Sequence, residues 1–185
     1  MDTADQLPAL ATIPQLPAAE RALLLDRLFE PCVPLHTLSL SLLQQNPFAS
    51  YDELIGSVGL QLTALANSSS TSDAAWLQTI LAAHPRLGQG KVESSQSRSE
   101  QAQLNTGSES SAQSLAELNH LYEQTFPGLR YVVFVNGRSR DVIMDDMKTR
   151  IDRQDRMAEM HAAIKAMCDI AKDRAHKIGV KDNGR

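Results

Sequence analysis

Tyr131-Val132-Val133-Phe134-Val135 is the only stretch of this sequence with strand propensity, and no second stretch of similar quality exists to pair with it. A lone strand leaves its backbone N–H and C=O groups unpaired, so a sheet is not a solution open to this chain. Closed by Asn136-Gly137, the stretch reads as a short extended passage through the core of a helical protein.

The rest of the sequence has helical periodicity. Over 17–30, Ala22, Leu23, Leu25, Leu28 and Phe29 recur largely at three- and four-residue spacings behind Pro17, predicting an amphipathic helix. A leucine-rich segment over 34–44 stops before Asn46-Pro47. Ser50-Tyr51-Asp52-Glu53 then reads as a capping box opening a helix to about Leu65. Ser72 or Asp73 is expected to cap a helix over 74–83, which Pro85 closes by disfavouring helical backbone at His84. Serine-rich 89–114 reads as a loop, with Ser97 and Glu100 as a capping box for a short helix inside it. Further helices are predicted over 112–124, 139–149 and 156–178, the last burying Met157, Met160, Ile164, Met167, Cys168, Ile170 and Ala171. The expected class is all-α: a single-domain multi-helix bundle, residues 1–185, with flexible ends at 1–15 and 179–185.

At about 100–200 residues per domain, 185 residues give one domain with room for a core. Eighteen Lys and Arg against 22 Asp and Glu leave a net charge of -4, which lacks the electrostatic footprint of a nucleic-acid binder. No apolar run approaches the roughly 18–20 residues of a membrane span, and the acidic N-terminus leads into no secretory signal. Two cysteines, Cys32 and Cys168, cannot make a disulfide framework and suit a reducing compartment.

The chemistry-bearing candidates are few. There is no GxxxxGK[ST], GxGxxG, HExxH or CxxC, and the five histidines form no compact ligand set, so no metal site is expected. His84 stands at a helix end marked by Pro85, where an imidazole can face a cleft or simply complement the helix dipole. Glu100 and Gln101 place an acceptor beside a two-way hydrogen-bonding amide, next to Ser97. Ser139 reads as a helix cap, Arg138 as a turn arginine and Arg174, taken alone, as a solvated charge beside Asp173.

His84-Pro85-Arg86-Leu87-Gly88, Ser97-x-x-Glu100-Gln101, Leu118-Asn119 with Tyr122, the 131–135 stretch and Ile170-Ala171 before Arg174 together resemble 2-oxo-4-hydroxy-4-carboxy-5-ureidoimidazoline (OHCU) decarboxylase. Asn46-Pro47-Phe48 resembles the family's Pro-Phe element, and the likeness runs from about Leu16 to Ile178. Serine-rich 67–72 and 105–111 depart from the pattern as loop insertions.

The resemblance implies a carboxy-lyase of urate breakdown that needs neither metal nor organic cofactor and yields S-allantoin. It implies His84 and Glu100 as catalytic residues, His84 supplying a proton or polarising the substrate and Glu100 biasing its protonation. Pro85, Ser97, Gln101, Arg174 and the backbone of Tyr131, Val132, Val133, Phe134 and Val135 would bind the substrate. The expected partner is this small molecule, with neither nucleic acid nor membrane, and the family also suggests a homodimer. Ending in Asn183-Gly184-Arg185 rather than Ser-Lys-Leu, the chain is expected in the cytoplasm, with peroxisomal import left open. The alternatives are a non-catalytic helical module of the same fold and an enzyme for another ureido or imidazoline substrate.

Overall fold

Proline at a first turn, a serine cap and leucines at helical spacing produce the elements that the periodicity predicts. The computed structural model describes residues 6–88 and 109–179. Among these the elements are a 3-10 helix, Leu10–Gln15, and α1 Ala18–Leu28, α2 Val33–Gln45, α3 Tyr51–Ala66, α4 Thr71–Ala82, α5 Glu109–Thr125, α6 Arg140–Arg153 and α7 Arg156–Ile178. All regular secondary structure among the described residues is helical, and residues 131–135 run extended without joining a sheet. The chain is all-α.

Contacts divide it into two compact units, Met1–Ile80 with Met167–Arg185, and Leu81–Ala166. In the first, α2 packs against the 3-10 helix, α1 and α3. Leu25, Leu28, Leu43, Leu54, Ile55 and Leu62 are fully buried there. The Ser50 hydroxyl accepts from the Glu53 amide at 3.1 Å, and the Glu53 carboxylate reaches back to the Ala49 amide at 2.7 Å, which completes the capping box one residue further out than usual. In the second unit, α5 packs against α6, and Leu115, Tyr122, Phe126, Ile143 and Met147 are buried.

Several expectations need correction. Residues 6–15, expected to belong to a flexible end, are tied in. Leu7 and Ile13 are completely buried, the Leu7 amide donates to the Gly179 carbonyl at 2.9 Å, and the Pro8 carbonyl accepts from the Tyr51 hydroxyl at 2.7 Å. Two apolar side chains, each contributing about 1.5–3 kcal/mol on burial, hold a segment whose composition looks loose. Helix α4 begins at Thr71 with Ser70 as its cap, its hydroxyl accepting from the Asp73 amide at 3.4 Å. It stops at Ala82, one residue early. Leu23 is 60% exposed while Leu24 turns inward, and Met157 is 45% exposed while Glu159 takes the buried place. Of the serine-rich segment, Ser94 to Ser108 lie outside the described residues, and α5 begins at Glu109 rather than at Ala112.

All three tyrosines are buried. Burial lifts each hydroxyl well above its ordinary range; the Glu159 carboxylate adds to the effect at Tyr122, and a hydrogen bond to Asp146 adds to it at Tyr131. The unfolded chain releases these protons near pH 10 while the folded chain keeps them, so above pH 10 the unfolded state binds fewer protons and stability falls. Three such groups give a slope of at most about 4 kcal/mol per pH unit. Urea unfolding between about pH 9 and 11, with tyrosinate absorbance followed in parallel, measures it. A flat stability across that interval would contradict this account.

Candidate active site

The turn that follows α4 holds the His84-Pro85-Arg86-Leu87-Gly88 motif, and three separate contacts fix its backbone. Pro85 ends the helix and leaves its last carbonyls without intrahelical donors. Arg130 supplies them: its Nη1 donates to the Ala82 carbonyl at 2.6 Å and to the His84 carbonyl at 3.2 Å. A cation at a helix C-terminus also meets the negative end of the dipole. Because Arg130 directly precedes Tyr131, this grip joins the motif to the start of the extended segment. Asn119, on α5 and only 6% exposed, donates from Nδ2 to the Leu87 carbonyl at 3.1 Å and to Leu115 at 3.0 Å.

Gly88 closes the turn with φ +74°, and a Cβ there would lie 2.7 Å from Leu115 Cδ2. Gly88→Ala therefore combines left-handed backbone strain with a clash and should cost about 1–3 kcal/mol in urea unfolding. An unchanged midpoint would show that the turn relaxes freely.

Within this turn His84 is 4% exposed, so the imidazole is withdrawn from bulk solvent rather than sitting on a wet helix end. Pro85 is half-buried, and Leu87 is buried. Arg86 points outward, its Nε and Nη2 each 2.5 Å from the two carboxylate oxygens of Glu123. A cavity of about 270 Å³ opens beside the turn, lined by Arg86, Leu87 and Gly88 and by Ala112, Ala116, Asn119 and His120 of α5.

The extended segment lies in the same unit. Tyr131, Val132, Val133 and Val135 are buried, and Phe134 is half-buried. Asn136 and Gly137 then turn the chain with φ of 44° and 73°, bringing Arg138 back onto the segment. Arg138 donates to the Phe134 carbonyl and, from Nε, to the Val135 carbonyl at 3.2 Å. This arginine, read from the sequence as a turn residue, thus satisfies buried backbone.

Arg174 belongs to the other unit and is not the solvated charge that its neighbourhood in sequence suggests. It is 3% exposed, its Nη1 donates to the Phe29 carbonyl beyond the end of α1, and its Nη2 is 2.7 Å from the carboxylate of Glu30, itself 5% exposed. Ser97, Glu100 and Gln101 lie outside the described residues.

Sequence reasoning passed over Arg130, Arg150 and Glu159. Glu159 is fully buried, accepting from the Tyr122 hydroxyl at 2.8 Å and from Arg153 at 2.5 Å. A signal was there: Glu159, Ala163, Met167, Ile170 and Arg174 share one helical stripe, so both charges fall on the apolar face. Among the described residues no group of three or more His, Cys, Asp or Glu side chains could hold a metal ion, and no helix is long and apolar enough to cross a membrane.

A family model described as OHCU decarboxylase matches residues 14–176 of the 185-residue chain. A search of curated proteins found no match.

Proposed function

The chain belongs to the OHCU decarboxylase family, and from that membership we propose that it removes carbon dioxide from 2-oxo-4-hydroxy-4-carboxy-5-ureidoimidazoline to give S-allantoin in urate breakdown. The observation that supports this best is the built turn at His84. The imidazole is 4% exposed, and the backbone that carries it is held by Arg130 and Asn119 before any ligand arrives.

The substrate supplies its own electron sink. When the bond to the carboxyl carbon breaks, carbon dioxide leaves and the electron pair passes into the adjoining ring unsaturation. A proton is then delivered to one face of the ring. The protein's part is to hold the carboxylate out of the ring plane, keep water away and place that proton. In this reading His84 gives the proton or polarises the ring before carbon dioxide departs. Glu100 holds a substrate hydroxyl or ring N–H and biases the protonation of His84, Gln101 pairs with the amide-like edge, and Ser97 donates a further hydrogen bond. Arg174 serves an anionic or carbonyl oxygen through its planar fork. The buried backbone of 131–135 reads the ring edge.

The test is to generate the substrate in situ from urate, with urate oxidase and the hydrolase that follows it, and to record the circular dichroism of the allantoin formed. Rapid appearance of optically active product is expected. Slow, racemic allantoin in the presence of folded protein would reject the reading and return attention to the interaction module or to another ureido substrate.

A further inference from the structure

The extended segment is polarised by the arginines around it. Three of its five carbonyls are engaged: Arg150 Nη1 donates to that of Val132 at 3.5 Å, Arg138 to that of Phe134, and the Arg138 amide and Nε to that of Val135 at 3.0 and 3.2 Å. Its donors are not. No backbone N–H from Tyr131 to Val135 donates to a described residue, although four of these five residues are buried. Buried backbone N–H groups are almost always paired, so a run of them asks for an acceptor from elsewhere.

Arg150 is the hub of this arrangement. Its guanidinium lies over the Tyr131 ring, 4.8 Å from the centroid. Asp146 holds its Nε at 3.0 Å, and Glu159 stands 3.7 Å from Nη1. The Tyr131 hydroxyl donates to that same Asp146, and the Tyr122 ring meets the Tyr131 ring edge-on at 5.5 Å. Glu159, fixed by Tyr122 and Arg153, is thus a buried anchor for the cation that holds Val132 and Tyr131. A cation under contact with both an aromatic face and a carbonyl sets the segment's register as well as its polarity.

We propose that Arg150 is a positioning residue. Resting on the decarboxylase reading, it touches no substrate but holds 131–135 so that alternate N–H donors of the segment can meet the ligand, suited to the carbonyl oxygens of a ring and ureido group. Groups that bind ground state and transition state alike act on KM more than on kcat.

Arg150→Lys keeps the charge and loses the fork and the ring stacking. Its KM for the in-situ substrate should rise about tenfold with kcat nearly kept, and its dissociation constant for S-allantoin, measured by calorimetry, should rise in parallel. The unfolding temperature should stay within a few degrees, and the pH profile of kcat should not move. A folded variant with KM and S-allantoin affinity within twofold of the parent would overturn the proposal. So would a loss of kcat alone in proportion to unfolded protein, which marks a merely structural role. If Arg150→Lys does not fold, Asp146→Asn decides. It loosens Arg150 from a half-exposed site and should raise KM in the same direction by a smaller factor, whereas an unaltered KM overturns the proposal. A parent protein inactive on this substrate would instead sink the decarboxylase reading.

Discussion

His84→Asn should lower the decarboxylation rate by a factor of about a hundred to ten thousand, the range a positioned acid–base group contributes, while the protein stays folded. The fold should survive because the contacts that shape this turn run through backbone atoms. Arg130 bonds the carbonyls of Ala82 and His84, and Asn119 bonds that of Leu87. Asparagine keeps a polar side chain of smaller size at a site 4% exposed, yet it cannot take up and release a proton near neutral pH. The circular dichroism assay on S-allantoin reads the loss, and thermal unfolding confirms the fold. Activity within threefold of the parent, on folded protein, would remove His84 from the chemistry and leave the imidazole a buried filler.

Arg174→Met should destabilise the protein by about 3–5 kcal/mol, the range seen when one partner of a buried ion pair is removed. Glu30, 5% exposed, loses the guanidinium 2.7 Å away, and the Phe29 carbonyl beyond the end of α1 loses its donor. Methionine matches the length of the aliphatic stem but satisfies neither group. Urea unfolding measures the effect as a shift of the midpoint with an unchanged slope. A loss under about 1 kcal/mol would mean that Glu30 finds water or another partner at little cost. The family resemblance gives Arg174 a place on the substrate. In the structure its guanidinium is held by Phe29 and Glu30, just beyond α1.

Most of the helical architecture was legible because it rests on local signals. Pro17, the Ser50–Glu53 box, Ser139 and the apolar stripe of α7 each act within one or two turns of the backbone. Helix ends were less so. The end of α4 depends on Arg130, 48 positions beyond Ala82, and the N-terminal segment is ordered by Gly179 at the far end of the chain. Neither partner leaves a mark on the local pattern.

The candidate site divides in the same way. His84 stands out from residue types alone, since Pro85 disfavours helical backbone at the residue before it, whereas the left-handed backbone of Gly88 emerged only in the structure. Arg174, taken alone, reads as solvated because a charge beside polar neighbours looks exposed until packing shows which face it occupies. Arg150 and Glu159 form a partly buried network with Asp146, Tyr122 and Tyr131, residues that helix spacing alone cannot bring together.

By itself, then, the sequence determined the helical class, the lone extended segment and the family motif, because periodicity, caps and breakers are short-range physics. Only the tertiary structure decided which charges are buried and what they hold. Desolvation and ion pairing depend on partners far apart in the chain, and those partners turn an isolated strand-like segment into a buried backbone whose Val132, Phe134 and Val135 carbonyls are held by arginines.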